Sequence, residues 1–459
     1  MFRKTLPIFL LLTFLFTTGQ GCGGPSVAEQ AAAQPVTLTI WRVFDEDDTM
    51  KDIMNAYRTL HPNVSFEYRQ MRVDEYKNEL LRAFAEGTGP DIFSIHNTWM
   101  NEFKSLIGPL PASLTIPYIE IKGTIKQEKI ITLREEPSIT PAQVRRDFVD
   151  VVAQDAVMRY QPNPKDVPQE RIFGLPMSVD TLAMFYNKDL LNAAGIAQPP
   201  TNWAEFQAAV VALTSIGTDD LIIQSGAALG GSANVERAFD IVSLLMMQNG
   251  TPMIDDRGNC TIGWNDRDKQ TVPGADAVRF YTDFANPLKE VYAWNASQPN
   301  SFDAFTSGKT AFFFGYSYHL PQVRSRAPKL NFAVAPTPQI SGGHTVNYAN
   351  YWVETVSKAT KANNWAWDFV QFATKANQVQ SYLKIANRPT ARRDLINSQI
   401  DDEDLNPFVS QLLTAQSWYR GQDIEVAEQA FLDLIDAALA GKIIEDEIDL
   451  TQSKINQTL

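Results

Sequence analysis

Cysteine and histidine are scarce in this sequence of 459 residues, which contains two cysteines, Cys22 and Cys260, and four histidines. The histidines share no spacing typical of a metal site. The chain also lacks the G-x-S-x-G, H-E-x-x-H and P-loop motifs of common hydrolases, metalloproteases and nucleotide-binding proteins. We therefore predict a protein that uses no metal and no cofactor and is not an enzyme.

Basic residues are also fewer than acidic residues. The chain has 40 Lys and Arg residues against 53 Asp and Glu residues, which gives a formal net charge of −13. Because an acidic surface repels nucleic-acid phosphates and anionic lipids, neither is expected as the main ligand. Hydrophobic residues make up 44% of the chain, which is enough for a sizeable core, and the length predicts two or three domains.

Long apolar runs are missing from the sequence except near its beginning. The run Leu6–Phe16 follows the basic residues Arg3 and Lys4. It is too short to span a bilayer comfortably, since a transmembrane helix needs about 20 residues. A basic start followed by a short apolar run is typical of a secretory signal peptide. We therefore predict that residues 1–21 direct export and are removed.

The segment Gly19–Cys22 resembles a bacterial lipobox, in which the cysteine is lipidated and becomes the new N-terminus. Lipoboxes usually carry Leu where this chain has Gly19, so cleavage without a lipid remains an alternative. Residues 22–35 are rich in Gly, Ser, Ala and Gln and predict a lipidated flexible tether. We expect the protein on the outer face of the cell membrane or in the periplasm, touching the membrane through this lipid only. Cys260 is then left without a disulfide partner and is predicted to be a hairpin residue.

The mature chain begins with alternating strands and helices. Strands are predicted over 36–43, 64–69 and 91–95, separated by helices that end near Leu60 and Glu86. This order predicts a parallel sheet flanked by helices. Ligands bind outside the carboxyl ends of the strands in such sheets. That rule selects a group of loop residues as candidate ligand contacts: Phe44, Asp45, Asn97, Thr98 and Trp99.

The region 109–171 is less regular, with a hairpin predicted over 116–133 and a helix over 141–160. Strands and helices alternate again after it, with helices over 203–215 and 235–249. The last third of the chain is mainly helical. The sequence therefore predicts a second α/β unit after the first.

The segment Pro176–Leu191 resembles the signature of family 1 extracellular solute-binding proteins, which include maltose-binding proteins. Ala193 departs from the signature, where the family usually has a polar residue. Three further motifs are similar to those of the family: Gly87–Ile92, Phe305–Phe312 and Asn387–Thr390. The resemblance covers about residues 36–395, although the region 109–171 is longer than usual.

The resemblance implies an α/β periplasmic-binding-protein-like fold of type II, in which two lobes, each a helix-flanked sheet, hold the ligand in the cleft between them. The N-terminal lobe is expected to comprise 36–179 plus about 350–402. The C-terminal lobe is expected to comprise 180–349 plus about 403–459. Crossovers between the lobes are expected near Asp180, near Tyr348 and in the 395–405 region. Asn187 is positioned to cap the helix that follows the first crossover.

The resemblance also implies a function: capture of a sugar, by closure of the lobes, for delivery to the transmembrane subunits of an ABC permease. Asp180 matches a family acid that accepts hydrogen bonds from sugar hydroxyls, and Tyr316 and Tyr318 follow a motif that often precedes an aromatic ligand contact. The Asn- and aromatic-rich cluster at 347–352 and the unusual Arg388 add further candidates. Besides the strand-end residues, the predicted ligand contacts are Asp180, Tyr316, Tyr318, Tyr348, Trp352 and Arg388.

Two other functions remain open at this point. The abundance of acids favours a polyamine or another non-sugar solute as the runner-up. A glycan-acting lipoprotein enzyme would need two carboxylates that face each other across a sugar, and Asp45 and Asp180 are the best candidates for such a pair. The protein is expected to be a monomer that binds a mono- or oligosaccharide.

Overall fold

The computed structural model describes residues 26–122, 128–268 and 270–459. The predicted signal peptide, 1–21, and the predicted lipidation site, Cys22, lie outside these residues. None of the helices in the described part of the chain is both long enough and apolar enough to cross a membrane.

Helices and strands alternate along most of the chain. The α-helices, in chain order, are α1 (Val27–Ala32), α2 (Asp47–Leu60), α3 (Val73–Glu86), α4 (Pro141–Asp147), α5 (Asp150–Ala156), α6 (Lys188–Ala193), α7 (Trp203–Leu213), α8 (Ala238–Gln248), α9 (Pro273–Asp283), α10 (Ser301–Thr306), α11 (His319–Arg326), α12 (Asn363–Ala373), α13 (Ala376–Ala386), α14 (Asn406–Val409), α15 (Ile424–Leu439) and α16 (Ile444–Asn456). Short 3-10 helices cover Asn97–Trp99, Arg393–Ser398 and Leu412–Thr414.

The strands are mostly short. They are β1 (Val36–Val43), β2 (Val64–Met71), β3 (Ile92–His96), β4 (Ser113–Lys122), β5 (Glu128–Pro137), β6 (Val157–Tyr160), β7 (Gln169–Ile172), β8 (Asp180–Thr181), β9 (Ala183–Asn187), β10 (Ser215–Ile216), β11 (Ile222–Ala227), β12 (Thr310–Gly315), β13 (Phe332–Pro336), β14 (Asn347–Asn350), β15 (Trp352–Val356) and β16 (Ala415–Gln416).

The first sheet has the order β15-β3-β1-β2. Strand β1 runs parallel to both β2 and β3, which confirms the predicted parallel arrangement, and β15 joins β3 in the antiparallel sense. Gly87 ends α3 with a φ of 73°, a conformation that glycine adopts without the penalty of a Cβ. The carboxylate of Asp91, in the same motif, accepts hydrogen bonds from the backbone and hydroxyl of Thr39. The Gly87–Ile92 motif therefore joins a helix end to the sheet.

The second sheet has the order β10-β11-β12-β9-β13. Strands β11 and β12 are parallel, and β9 is antiparallel to β12 and β13. Asn187 ends β9, and its Oδ1 accepts hydrogen bonds from the backbone of Asp189 and Leu190 at the start of α6, as predicted for a helix cap. The signature segment thus supplies a crossover strand and the cap of the following helix.

Two large hydrophobic cores surround these sheets. The first is built from residues within 38–179 and 349–415, and the second from residues within 182–348 and 418–455. A small sheet with the order β16-β14-β8 lies where the chain passes between them. Beyond the predicted 395–405 segment, Leu412 and Ala415 pack in the first core.

The long region 109–171 consists of two hairpins and two short helices. Strands β4 and β5 form the predicted hairpin, with Ser113 opposite Pro137. The predicted helix over 141–160 is wrong in its last part: α5 ends at Ala156, and β6 then pairs with β7. The four-residue ladder between β6 and β7 supplies the backbone partners there that a longer helix would have supplied.

The predicted tether, residues 22–35, contains a short helix. Within the predicted tether, α1 forms because Ser26 and Glu29 make reciprocal hydrogen bonds between side chain and backbone, as in a capping box.

Cys260 is buried and pairs with Ile254 in an antiparallel bridge, as predicted for a hairpin. Burial raises the pKa of its thiol to about 11, so it is not a reactive thiolate at neutral pH.

Candidate ligand-binding site

A cavity of about 700 Å³ lies between the two cores. This is a size typical of sites for small molecules. Its wall combines residues that belong to the first core region, the crossover and the second core region. The lining residues are Phe44, Val73, His96, Thr98, Trp99, Ser178, Asp180, Arg237, Tyr318, Pro321, Gln322, Asn350, Tyr351, Trp352, Arg388, Ile424, Glu425 and Glu428.

The cavity lies at the carboxyl ends of strands from both sheets, as the rule for open α/β sheets predicts. Phe44 follows β1, and Thr98 and Trp99 follow β3 in a single 3-10 turn. Tyr318 follows β12 in the second sheet and precedes α11. Asp180 begins β8, in the crossover segment itself.

Aromatic rings cover the first lobe's side of the cavity around Trp352. Its ring meets those of Phe44 and Trp99 edge-on, with centroids 5.8 and 5.4 Å apart. The ring of His96 also contacts the ring of Trp352. Its Nδ1 forms a hydrogen bond with Thr98, and its Nε2 forms one with Asn350. Burial lowers the pKa of His96 to about 4, so this ring is neutral at neutral pH. The result is an apolar wall with polar atoms at its edges.

A buried ionic network supports Arg388 on the same side. Nη2 of Arg388 lies 2.9 Å from Oδ1 of Asp45, a residue that is only 4% exposed. The other oxygen of Asp45 accepts a 2.9 Å hydrogen bond from Tyr382 and lies 2.8 Å from Nη2 of Arg42. Arg42 also pairs with Glu354. Charges of both signs are therefore paired beneath Arg388, as burial requires.

A similar arrangement supports Arg237 on the second lobe's side. Its Nε and Nη2 atoms lie 2.7 and 2.6 Å from Oδ2 of Asp240, which is 1% exposed. The same oxygen accepts a 2.6 Å hydrogen bond from the hydroxyl of Tyr316. The ring of Tyr316 lies beneath the guanidinium of Arg237 and is stacked with the ring of Tyr318, 5.9 Å away.

Two carboxyl groups at the cavity have raised pKa values. Asp180 accepts hydrogen bonds from the backbone of Thr181 and from both the backbone and the hydroxyl of Ser317, yet burial raises its pKa to about 7. Glu428, on α15, has its pKa raised to about 7 by burial as well, and it accepts no hydrogen bond from the described residues. Desolvated carboxyl groups in a cleft are typical of functional sites.

The cavity brings together seven of the eleven ligand contacts predicted from the sequence. They come from six separate parts of the chain, and all of them line the cavity. These seven are Phe44, Thr98, Trp99, Asp180, Tyr318, Trp352 and Arg388.

The remaining four predicted contacts do not line the cavity, because each is buried and serves the protein's own structure. Asp45 pairs with Arg42 and Arg388, as described, and Tyr316 donates to Asp240. Asn97 donates a 3.0 Å hydrogen bond to the buried Asp155, and Tyr348 is packed in the second core with 2% exposure. Asp45 and Tyr316 still act on the site indirectly, since they hold Arg388 and Arg237.

Arg237 and Glu428 are lining residues that the sequence did not predict. Arg237 directly precedes α8 and has no motif around it, although it belongs to a charged pair, Glu236-Arg237, at a helix start. Glu428 lies in an amphipathic helix, where a charged residue is ordinarily predicted to face solvent. Only the packing of α15 beside the crossover reveals that Glu428 borders the cavity.

The described residues contain no group of three or more His, Cys, Asp or Glu side chains arranged to hold a metal ion. The arrangement at the cavity is instead one of flat aromatic faces next to hydrogen-bond donors and acceptors. This combination suits a polar molecule that also has apolar faces.

Comparisons with known proteins agree with this geometry. The family model for bacterial extracellular solute-binding proteins matches residues 52–405. A relative from Brucella abortus (strain 2308), named only as a binding protein, is 21% identical over 403 residues, which cover 85% of each chain. The match to the family confirms the resemblance seen in the sequence.

Solved structures of sugar-binding proteins share the fold. A maltodextrin-binding protein complexed with maltotetraose aligns with a TM-score of 0.70 at 15% identity, covering 92% of this chain and 97% of its own. The sugar-binding protein MalE of Xanthomonas citri aligns at 0.67 with 18% identity, and MalE of Listeria monocytogenes in complex with maltose at 0.68 with 16%, each with the same coverages. At these identities the likeness concerns the two-lobed α/β fold.

Proposed function

The chain belongs to a family of bacterial extracellular solute-binding proteins, and from this premise we propose that it captures a carbohydrate and delivers it to the transmembrane subunits of an ABC importer. Its family and its structural neighbours are binding proteins and not enzymes. The neighbours include proteins solved with maltotetraose and with maltose. Our proposal extends this class of ligand to the present chain.

The observation that carries the proposal is the pairing of aromatic faces with polar groups in one cavity. Trp99, Trp352 and Tyr318 offer ring faces and edges, and sugar rings pack their C–H faces on such surfaces. Asp180 and Arg388 lie in the same wall and offer an acceptor and a donor for hydroxyl groups. Neither feature alone points to a sugar, but a sugar requires both.

We propose that ligand binding closes the lobes. The residues that line the cavity come from both cores, so a solute that touches all of them binds the closed state more tightly than the open one. The permease then recognises the closed form. For the lobes we propose the boundaries 36–179 plus about 350–402 and 180–349 plus about 403–459. The boundary is least sharp between about 403 and 417, where side chains of the proposed second lobe pack in the first core.

Thermal shift of the purified protein against a panel of sugars and polyamines tests the proposal. Because a ligand that binds only the folded state raises the melting temperature, a neutral mono- or oligosaccharide is expected to raise it in a concentration-dependent manner. Stabilisation by polyamines with no response to any sugar would contradict the proposal and favour the alternative solute class, which the acidic composition keeps open.

A glycan-acting enzyme has less support. Its candidate carboxylate pair is Asp45 and Asp180, but Asp45 is buried beneath Arg388 and ion-paired with two arginines. It does not face Asp180 across the cavity, as a glycosidase acid or nucleophile must. We therefore propose a binding protein without catalysis. Release of reducing sugar from a glycoside panel by the purified protein would contradict this.

We further propose that the protein is exported as a monomer and held at the membrane by a lipid on Cys22. The lipobox-like segment supports this proposal. Replacement Cys22→Ser is then expected to move the protein from the membrane fraction to the soluble fraction. Cys260→Ser, a buried cysteine far along the chain, is the matched control and is expected to leave the membrane fraction unchanged. Membrane retention of the Cys22 variant would show that another anchor holds the protein.

A further inference from the structure

Two arginines reach the cavity from opposite lobes, and the same three-residue arrangement holds each of them. Arg388 is paired with Asp45, which accepts a hydrogen bond from Tyr382. Arg237 is paired with Asp240, which accepts a hydrogen bond from Tyr316. In both cases the aspartate and the tyrosine are buried while the guanidinium borders the cavity.

Each guanidinium keeps nitrogen atoms that no described residue engages. Arg237 uses Nε and Nη2 for Asp240, and its Nη1 donates to no side chain or backbone group of the described chain. Arg388 uses Nη2 for Asp45, and its Nε and Nη1 likewise lack an acceptor within the part that the structure describes. A guanidinium that is fixed on one side and open on the other is prepared to donate hydrogen bonds to a ligand.

The backbone at Arg237 adds an independent sign of a constrained site. This residue adopts φ 61° and ψ 26°, the left-handed region that residues with a Cβ seldom occupy. Such conformations persist where surrounding contacts hold them, and they are concentrated at functional sites. Here the pairing with Asp240 and the ring of Tyr316 provide those contacts.

From this pairing we infer that Arg237 and Arg388 form one clamp, in which each arginine donates hydrogen bonds from its own lobe to oxygen atoms of the same bound solute. The inference rests on the proposed function and adds a specificity-determining residue, Arg237. It also explains why a solute bound by both arginines favours the closed arrangement of the lobes.

The neighbours of the two arginines define which solute the clamp accepts. Arg237 lies near Glu428 and Arg388 near Asp180, close enough for each charge to shift the pKa of the other, yet neither pair forms an ion pair within the described chain. A donor beside an acceptor matches two adjacent hydroxyl groups, since each hydroxyl both accepts and donates. A hydroxyl suits either position, whereas an ammonium that lies at the guanidinium or a carboxylate that lies at the acid meets a like charge. The clamp therefore selects an uncharged polyhydroxyl group.

The test uses whichever neutral sugar gives the largest thermal shift with the wild-type protein. Calorimetric titration is expected to give at least a ~10-fold weaker Kd for Arg237→Met, since hydrogen bonds from a charged donor are lost. Arg237→Lys keeps the charge without the planar fork and is expected to restore only part of the affinity. Arg257→Met, at an exposed position of the same lobe, is the matched control and is expected to stay within twofold of wild type.

Two further measurements separate a ligand contact from a structural role. The positioning residue Tyr316, changed to Phe, is expected to lower the affinity while the protein keeps its cooperative unfolding. A fluorophore pair, one on each lobe, is expected to report closure with the sugar for the wild-type protein and reduced closure for Arg237→Met at saturating sugar. Unchanged Kd and unchanged closure in the Arg237 variants would overturn the clamp while leaving the proposed function intact.

Ligand chemistry provides the last comparison. The uronic acid and the amino sugar that correspond to the best neutral sugar are both expected to bind at least ~10-fold more weakly than it does. Tighter binding of either charged analogue would overturn the inferred selectivity. If no sugar binds the wild-type protein, the proposed function itself fails, and the clamp fails with it.

Discussion

The carboxylate of Asp180 accepts two hydrogen bonds from Ser317, one from the backbone N–H at 2.9 Å and one from the hydroxyl at 2.6 Å. Asp180 lies in the crossover segment, whereas Ser317 follows β12 and directly precedes Tyr318. The protein's own hydrogen bonds therefore fix the crossover acid and the aromatic residue of the second lobe relative to each other. Such preorganisation lowers the entropy lost on binding.

Replacement of Asp180 tests its role as a hydrogen-bond acceptor for the solute. We expect Asp180→Ala to weaken sugar binding by roughly 1–3 kcal/mol, the cost of leaving a buried hydroxyl of the solute without its acceptor. Calorimetric titration measures this change. Asp189→Ala, an exposed aspartate of the same lobe, is the control and is expected to bind as wild type does. Equal affinities for the Asp180 variant and the wild type would remove Asp180 from the binding site.

Stacking on Tyr318 provides the second prediction. Tyr318 is 39% exposed and lines the cavity. Tyr318→Ala is expected to weaken sugar binding by about 1 kcal/mol through lost ring contact, while Tyr318→Phe keeps the ring and most of the affinity. The control is Trp264→Ala, because Trp264 is exposed to a similar degree, 43%, and does not line the cavity. If the two alanine variants bind alike, Tyr318 does not touch the solute.

Several of these residues could be predicted from the sequence because a local rule applies to them. Phe44 and Trp99 follow strands of a parallel sheet, and such positions point to the binding edge whatever the rest of the chain does. Asp180 and Tyr318 accompany motifs that recur at fixed spacing in the family. The fold was predictable for the same reason, since the order of strands and helices in the first lobe determines its sheet.

The direction in which a side chain points was harder to predict. Asn97 and Trp99 are two residues apart in one turn, yet Asn97 bonds the buried Asp155 while Trp99 lines the cavity. Tyr316 and Tyr318 differ in the same way, because Tyr316 is buried and donates to Asp240 while Tyr318 lines the cavity. Arg237 and Glu428 could not be predicted, because their access to the cavity depends on how α8 and α15 pack beside the crossover, and that packing involves residues far apart in sequence.

The buried position of Asn97 leads to a prediction about stability. Its Nδ2 donates to Asp155, which also accepts a 2.7 Å hydrogen bond from Tyr351. We expect Asn97→Ala to lower the free energy of unfolding by about 1–3 kcal/mol, because a buried acceptor loses a partner. Urea denaturation measures the loss, and sugar affinity is expected to stay within about threefold. A large loss of affinity with unchanged stability would restore Asn97 as a ligand contact.

The raised pKa of Glu428 predicts how stability depends on pH. Burial raises this pKa from 4.5 to about 7, so the folded protein holds the proton more tightly than the unfolded chain does. The contribution of this group to stability is therefore fully present below about pH 4.5 and is lost as the pH rises to about 7. Glutamine has no proton to lose. Glu428→Gln is thus expected to melt at the wild-type temperature near pH 4 and above it at pH 8.

Thermal unfolding of both proteins without ligand, measured across this pH range, checks the prediction. Glu290→Gln removes an exposed carboxylate of the same lobe and serves as the control for a change in net charge. A stability difference between wild type and Glu428→Gln that does not change with pH would contradict the assignment of a raised pKa.

An ion-pair bridge between the lobes gives the last prediction. Nζ of Lys77, on the first lobe, lies 2.9 Å from Glu102 of the same lobe and 2.9 Å from Glu425 of the second. Because partly exposed pairs of this kind contribute about 0.2–1 kcal/mol, Lys77→Met is expected to weaken sugar binding by about 1.4- to fivefold. Lys51→Met, an exposed lysine of the first lobe, is expected to have no effect. The difference should shrink in high salt, and a difference that persists there would exclude an electrostatic origin.

Calorimetric titration of the wild-type protein with neutral oligosaccharides, and in parallel with polyamines, shows whether the cavity binds a carbohydrate. We expect saturable binding of at least one neutral sugar with one site per chain and no saturable binding of polyamines. Saturable binding of a polyamine, together with no heat from any sugar, would contradict it.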